Sequence, residues 1–115
     1  MAERIYLIDL SVDGRNRYRH RHVLEKDQIV EFSVQFEAHI AGRWRPIVRY
    51  DSAHGFGHRD LMHSDGTTTK TSFQYWDYAE VLIYGERDLK QNWRAYRENY
   101  LKELEQYEAR TRSKQ

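Results

Sequence analysis

Between Arg49 and His63 the chain reads RYDSAHGFGHRDLMH, a stretch with three histidines, two arginines, two aspartates and two glycines. Histidine exchanges protons near neutral pH, arginine holds anionic oxygens in a planar fork, and a carboxylate beside an imidazole fixes its tautomer. Together these groups meet the needs of metal-free RNA cleavage: a base for the 2′-hydroxyl, an acid for the leaving oxygen and cations for the phosphorane. In that reading His54 and His58 share the proton transfers and Asp51 or Asp60 orients an imidazole. Arg49 and Arg59 hold phosphate, and Tyr50 is counted with them on the substrate side. No cofactor is required.

Two other readings use the same residues. His54, His58 and His63 with Asp51 or Asp60 are acceptable ligands for zinc, manganese or iron. Gly55 and Gly57 argue against a helix, however, so His54 and His58 are not a helical i,i+4 pair. In an extended chain His58, Asp60 and Met62 point one way, and Arg59, Leu61 and His63 the other. That division of the histidines leads us to expect no resident metal. The third reading is structural: Asp51 and Arg49 form cross-strand ion pairs, and the glycine-histidine turn is a polar connection.

A second basic run, RNRYRHRH from Arg15 to His22, places Arg17, Arg19 and Arg21 on one strand face around Tyr18. Such a row can grip a nucleic-acid backbone, with a tyrosine stacking on a base, or it can be a solubilising edge that resists sheet-to-sheet pairing. His20 and His22 are expected to line the edge of the core face.

The elements that must position these residues are legible in the hydrophobic period. From Asp27 to Ile40, Val30, Phe32, Val34, Phe36, Ala38 and Ile40 share one parity and polar residues the other, which describes a long half-buried strand. The next run, RWRPIVRYD, has Trp44, Val48 and Tyr50 on even positions. Matching the two apolar faces requires paired numbers that sum to an even value, and a three-residue turn Ala41-Gly42-Arg43 satisfies this. By the same test Tyr6, Ile8 and Leu10 pair with Tyr18, His20, His22 and Leu24 across an odd loop with Gly14 left-handed, leaving the arginines opposite, with Asp9 as a partner. Asp65-Gly66 makes another turn, into a threonine-rich strand near Thr67 to Phe73.

After Asp77 the period changes. Asp77 and Glu80 form a capping-box pair, and Tyr78, Leu82, Gly85, Leu89, Trp93, Tyr96, Tyr100, Leu104 and Tyr107 recur every three or four residues. About 30 residues at ~1.5 Å each give a helix of ~45 Å, longer than a domain of this size. Its far end is expected to project or to pack on a second copy, so a homodimer is expected. Gly85 inside it implies close approach to the sheet, or a kink.

A length of 115 residues supports one domain, read as a sheet region at 4–76, a helix at 77–108 and a frayed tail at 109–115. Sixteen aromatic residues, 9 of them tyrosine, supply much of the core. With 19 Lys and Arg against 18 Asp and Glu, total charge does not make the chain a strongly electrostatic binder of nucleic acid or membranes. The absence of cysteine excludes disulfides and thiolate chemistry, and no apolar run or leader-like N-terminus is present, so a cytoplasmic protein without a membrane segment is expected.

The run Arg49-Tyr50-Asp51, His54-Gly55, His58-Arg59-Asp60, His63 and Asp65-Gly66, followed by the helix segment ERDLKQNWRAYRENYL, resembles a family of small uncharacterised bacterial proteins with the pattern R-Y-D-x-x-H-G-x-x-H-R-D. The likeness covers roughly Ile29 to Leu101. More remotely, at Arg49, Tyr50, Asp51, His54 and His58, the plan resembles the TumE-type toxins of toxin-antitoxin loci. That resemblance implies a sheet with a helix, RNA-targeting growth inhibition and a cognate antitoxin as partner. The expected fold is α+β, an antiparallel sheet of about five strands packed against one long C-terminal helix. The expected function is a toxin-like, metal-independent ribonuclease, with a non-catalytic interaction module or a histidine-aspartate metal-binding protein as alternatives.

Overall fold

The computed structural model describes residues 1–113. Six strands, β1 (Ala2–Asp9), β2 (Asn16–Glu25), β3 (Gln28–Ile40), β4 (Arg43–Asp51), β5 (Gly57–Met62) and β6 (Thr68–Phe73), make one antiparallel sheet in chain order, and the helix α1 (Tyr78–Ser113) lies across one of its faces. The α+β class is as expected, with one strand more: the histidine-rich stretch itself forms β5, paired with β4 on one side and β6 on the other.

The core is the layer between sheet and helix. Tyr18, Phe32, Val34, Phe36, Ala38, Val48 and Tyr50 meet Val81, Leu82, Leu89, Trp93 and Tyr100, all buried. The N-terminal pairing has the expected register, with Tyr6 opposite His20 and Ile8 opposite Tyr18, and Gly14 in its loop has φ +71°.

The two central hairpins reach matching faces by a different device. Each turns in two residues with positive φ, Lys26-Asp27 and Ala41-Gly42, so pairing beside the turn has odd sums, as in Ile40 with Arg43. A bulge in each then supplies the missing residue and restores the even register. The extra residue that a three-residue turn would have provided thus sits inside the strand. Trp44 therefore lies on the face opposite Val48 and Tyr50, where the Arg17 guanidinium stacks 3.7 Å from its ring centroid. In the other hairpin Ile29 packs on the core and Val30 is exposed.

At the start of α1 the Asp77 amide donates to Glu80 Oε1 (3.3 Å), half of a capping box. Gly85 marks close approach: a Cβ there would lie 2.7 Å from Tyr50 Cγ. The helix continues to Ser113, through most of the expected tail; the expected fraying of 114–115 lies outside the described residues. The molecule measures 56 × 31 × 21 Å, so the helix does outrun the sheet. Yet Tyr100 is buried and Leu104 packs on the core, which leaves Tyr107 as the exposed aromatic of that end. No helix of the described residues is long and apolar enough to cross a membrane.

Candidate functional site

The sheet face away from α1 is open to solvent, and there the polar parities of the strands meet. Register places Gln35, Arg49, Asp60 and Lys70 in one row, and Ser33, Asp51, His58 and Ser72 in the next. The site is the junction of these rows. His58 Nε2 lies 2.9 Å from Asp51 Oδ1 and 3.6 Å from Asp60 Oδ2. Arg49 bridges both carboxylates, with Nε 2.9 Å from Asp51 Oδ2 and Nη2 3.1 Å from Asp60 Oδ2, and Lys70 Nζ is 3.1 Å from Asp60 Oδ1. Asp60 and His58 are buried, while Arg49 and Lys70 remain partly in water.

Charge explains how an aspartate is kept here. Burial raises the Asp60 carboxyl, but hydrogen bonds from Lys70 and Arg49, with the charges of His58 and Lys70, overcome that and hold it below its ordinary value. His58 is more enclosed than a residue on a surface turn would be, because it belongs to β5. Its Nδ1 is buried with no partner. The His54 and Phe56 rings lie 5.9 and 6.2 Å from its own; exposed His54 adopts φ +71° within the Ala53–Gly55 turn, and Phe56 is the extended residue that follows it.

The expected residues divide between the two faces. His58, Asp60, Asp51 and Arg49 converge, with His54 beside them. Arg59 and Tyr50 face the helix instead and correct the expectation of a shared phosphate grip. Tyr50 has no exposed surface, and its hydroxyl donates to Asp88 Oδ2 (2.7 Å). Tyr96 donates to the same oxygen (2.6 Å) and accepts from Arg59 Nη1 (3.1 Å). Burial first, then the Asp88 carboxylate, pushes the Tyr96 phenol up to about 12. This network fastens the helix to the sheet.

The arginine row is also more engaged than a free grip would be. Glu37, buried, takes Arg17 and Arg19 at 2.8 Å each, and Arg21 pairs with Glu3 and Glu31. Glu37, not the cross-strand neighbour Asp9, is the partner of Arg17. His20 stacks on Tyr6 at 4.2 Å and contacts Glu86 Oε1 at 2.8 Å, at the edge of the core face as expected.

For a metal, the set His54, His58 and His63 does not assemble, because His63 lies on the helix side against Glu103. Among the described residues Asp51, His58 and Asp60 do bring three ligand atoms within 4.8 Å of one another. All four carboxylate oxygens nevertheless have an N–H or cationic partner already, the last being the Ala53 amide on Asp51 Oδ1. A cation there would have to displace Arg49 and Lys70, so these residues fit an ion-pair network better than a metal centre. Lys70 is the residue sequence reasoning missed; its parity on β6 was the available signal.

An antiparallel six-stranded meander with one covering helix and a histidine-aspartate-arginine cluster on its open face defines the class of architecture. The chain belongs to the family described as Domain of unknown function (DUF7718), which matches residues 1–106. No curated protein and no solved structure matches it.

Proposed function

We propose that the chain is a metal-independent ribonuclease of the toxin type, acting on RNA through the cluster on the open sheet face. The observation that carries the reading is the Asp51–His58 contact, with a buried, unpartnered Nδ1 at the other end of the imidazole. A carboxylate beside Nε2 keeps the proton on that nitrogen and leaves the Nδ1 lone pair unpaired, and in this reading the ring turns outward past His54 as RNA binds so that Nδ1 meets the 2′-hydroxyl. His54, exposed on the adjoining turn, supplies the leaving oxygen's proton. The free donors of Arg49 and Lys70 face solvent and take the phosphate oxygens, and Asp60 holds both cations in place. In this reading Tyr50 and Arg59 shape the strand beneath the site without touching RNA. A cognate antitoxin would cover the open face; a homodimer through the far end of α1 rests on Tyr107, and a monomer mass by light scattering at high-micromolar concentration would remove it.

The test is RNA cleavage by purified protein together with growth on induction. His58→Gln and His54→Ala should each lower cleavage by ~10²-fold or more, with circular dichroism unchanged. Wild-type protein that neither cuts RNA nor arrests growth would sink the reading. One zinc or manganese per chain in elemental analysis would move the site to metal chemistry.

A further inference from the structure

On the opposite side of the molecule, His63, Thr69 and Glu103 come together from three separate elements. His63 directly follows β5, Thr69 lies on β6 and Glu103 on the overhanging part of α1. His63 Nδ1 is 2.7 Å from Glu103 Oε2, and His63 Nε2 is 2.6 Å from Thr69 Oγ1. The order of these contacts matters. An ionised carboxylate only accepts, so it keeps the ring proton on Nδ1; Nε2 of the neutral ring then accepts from the threonine hydroxyl. Carboxylate, imidazole and hydroxyl in that sequence is the arrangement that activates an oxygen nucleophile.

His63 and Glu103 border a usable space, and Thr69 adjoins it through its contact with His63. Beneath the overhanging helix a groove of about 410 Å³ is lined by His63 and Glu103, with Ile47, Leu61, Met62 and Tyr100 giving it an apolar floor. Its size is that of a small-molecule site. Thr69 is paired with Leu61 in register, so its side chain leaves the sheet on the face that the groove occupies. A hydrogen bond serving only to fasten α1 to the hairpin would need one nitrogen of the imidazole. Here both are engaged, and the second holds an exposed hydroxyl that does no work in the core.

We propose that Thr69, His63 and Glu103 form a second reactive site that takes carboxylic esters with a small apolar acyl group. It is independent of the RNA reading and shares no residue with it. Thr69 Oγ1 bonds to the ester carbonyl carbon as its proton passes to His63 Nε2, and Glu103 holds the resulting imidazolium. The bond to the alcohol oxygen then breaks, that oxygen takes the proton from Nε2, and the acyl group remains as an ester on Thr69. Water attacks this ester, passing a proton through Nε2 back to Thr69 Oγ1; the sum is ester and water to acid and alcohol. Glu103 acts as a positioning residue, and the apolar floor holds the acyl chain.

The experiment incubates the full chain with p-nitrophenyl butyrate, follows p-nitrophenolate release, and maps butyryl groups by peptide mass spectrometry. Wild type should carry a butyryl group on Thr69. Thr69→Val and His63→Gln should remove that label, and Glu103→Gln should slow its formation ~10²-fold and change the pH profile of p-nitrophenolate release. Thr69→Val is an exposed, nearly isosteric change, so it tests the site even if His63→Gln unfolds the hairpin. Wild-type protein labelled only on lysines or the N-terminus would overturn the proposal, as would Glu103→Gln with wild-type rate and pH profile. RNA cleavage by Thr69→Val should be unchanged, which separates this site from the one on the open face.

Discussion

Asp60 is 2% exposed and yet carries charge, because Lys70 and Arg49 each take one of its oxygens. Its carboxyl is held below the usual value, and that has a signed consequence for stability. A depressed carboxyl contributes stability that is fully present above the unfolded pKa of about 3.9 and is lost as pH falls through the lower folded value. Wild-type protein should therefore lose part of its stability in acid, and Asp60→Asn, which cannot ionise, should be less stable at neutral pH but lose less between about pH 5 and about pH 3. Urea titrations at both ends measure this, and equal losses for the two proteins would place the acid sensitivity elsewhere. The alternation of β5 had already separated His58 and Asp60 from Arg59 and His63. What alternation could not supply was which row of β4 they would meet. That was set by the Ala53–Gly55 turn, where a histidine at φ +71° reverses the chain, and it decided that Arg49 and Asp51 share the face while Tyr50 does not.

Elements show the same limit at a larger scale. Long periodic segments such as β3 and α1 were readable because burial imposes one period over many residues. The hairpins between them were readable only as a parity condition, which a three-residue turn and a two-residue turn with a bulge satisfy equally well. Backbone twist favours the second, since positive φ at both turn residues matches the twist of the strands. Trp44 changed faces as a result. Gly85 was legible as an anomaly and its cause is now visible: the helix lies so close to β4 that a methyl group would meet the Tyr50 ring at 2.7 Å. Alanine gains ~1 kcal/mol of helix propensity, against ~1–3 kcal/mol for forcing an added carbon into a packed core. Tyr50 is fully buried and tied to Asp88, so it has little room to yield. Gly85→Ala should lower stability by up to about 2 kcal/mol in chemical denaturation, the packing cost outweighing the propensity gain. A variant more stable than wild type would show that α1 lifts off β4 at little cost.

For the whole molecule the decisive quantity is how many cations are left to meet an RNA backbone. Composition shows 19 basic and 18 acidic side chains, which says nothing about where the pairs fall. The fold puts carboxylates between the arginines: Glu37 under Arg17 and Arg19, Glu3 and Glu31 about Arg21, Asp51 and Asp60 beside Arg49 and Lys70. An open face with alternating charge of this kind attracts a polyanion weakly at long range. If RNA is held by Arg49 and Lys70 alone, about two phosphates are neutralised and log K should fall against log salt with a slope near −1.4. Engagement of Arg17, Arg19 and Arg21 as well would give about −3.5 by the same relation. Fluorescence anisotropy with a short single-stranded RNA, using His58→Gln to prevent cleavage, distinguishes the two. A shallow slope that flattens further in Lys70→Met is the expected outcome. A steep slope unchanged by that substitution would mean that the arginine row releases its carboxylates to bind RNA, and would move the contact surface from β4 and β6 to β2.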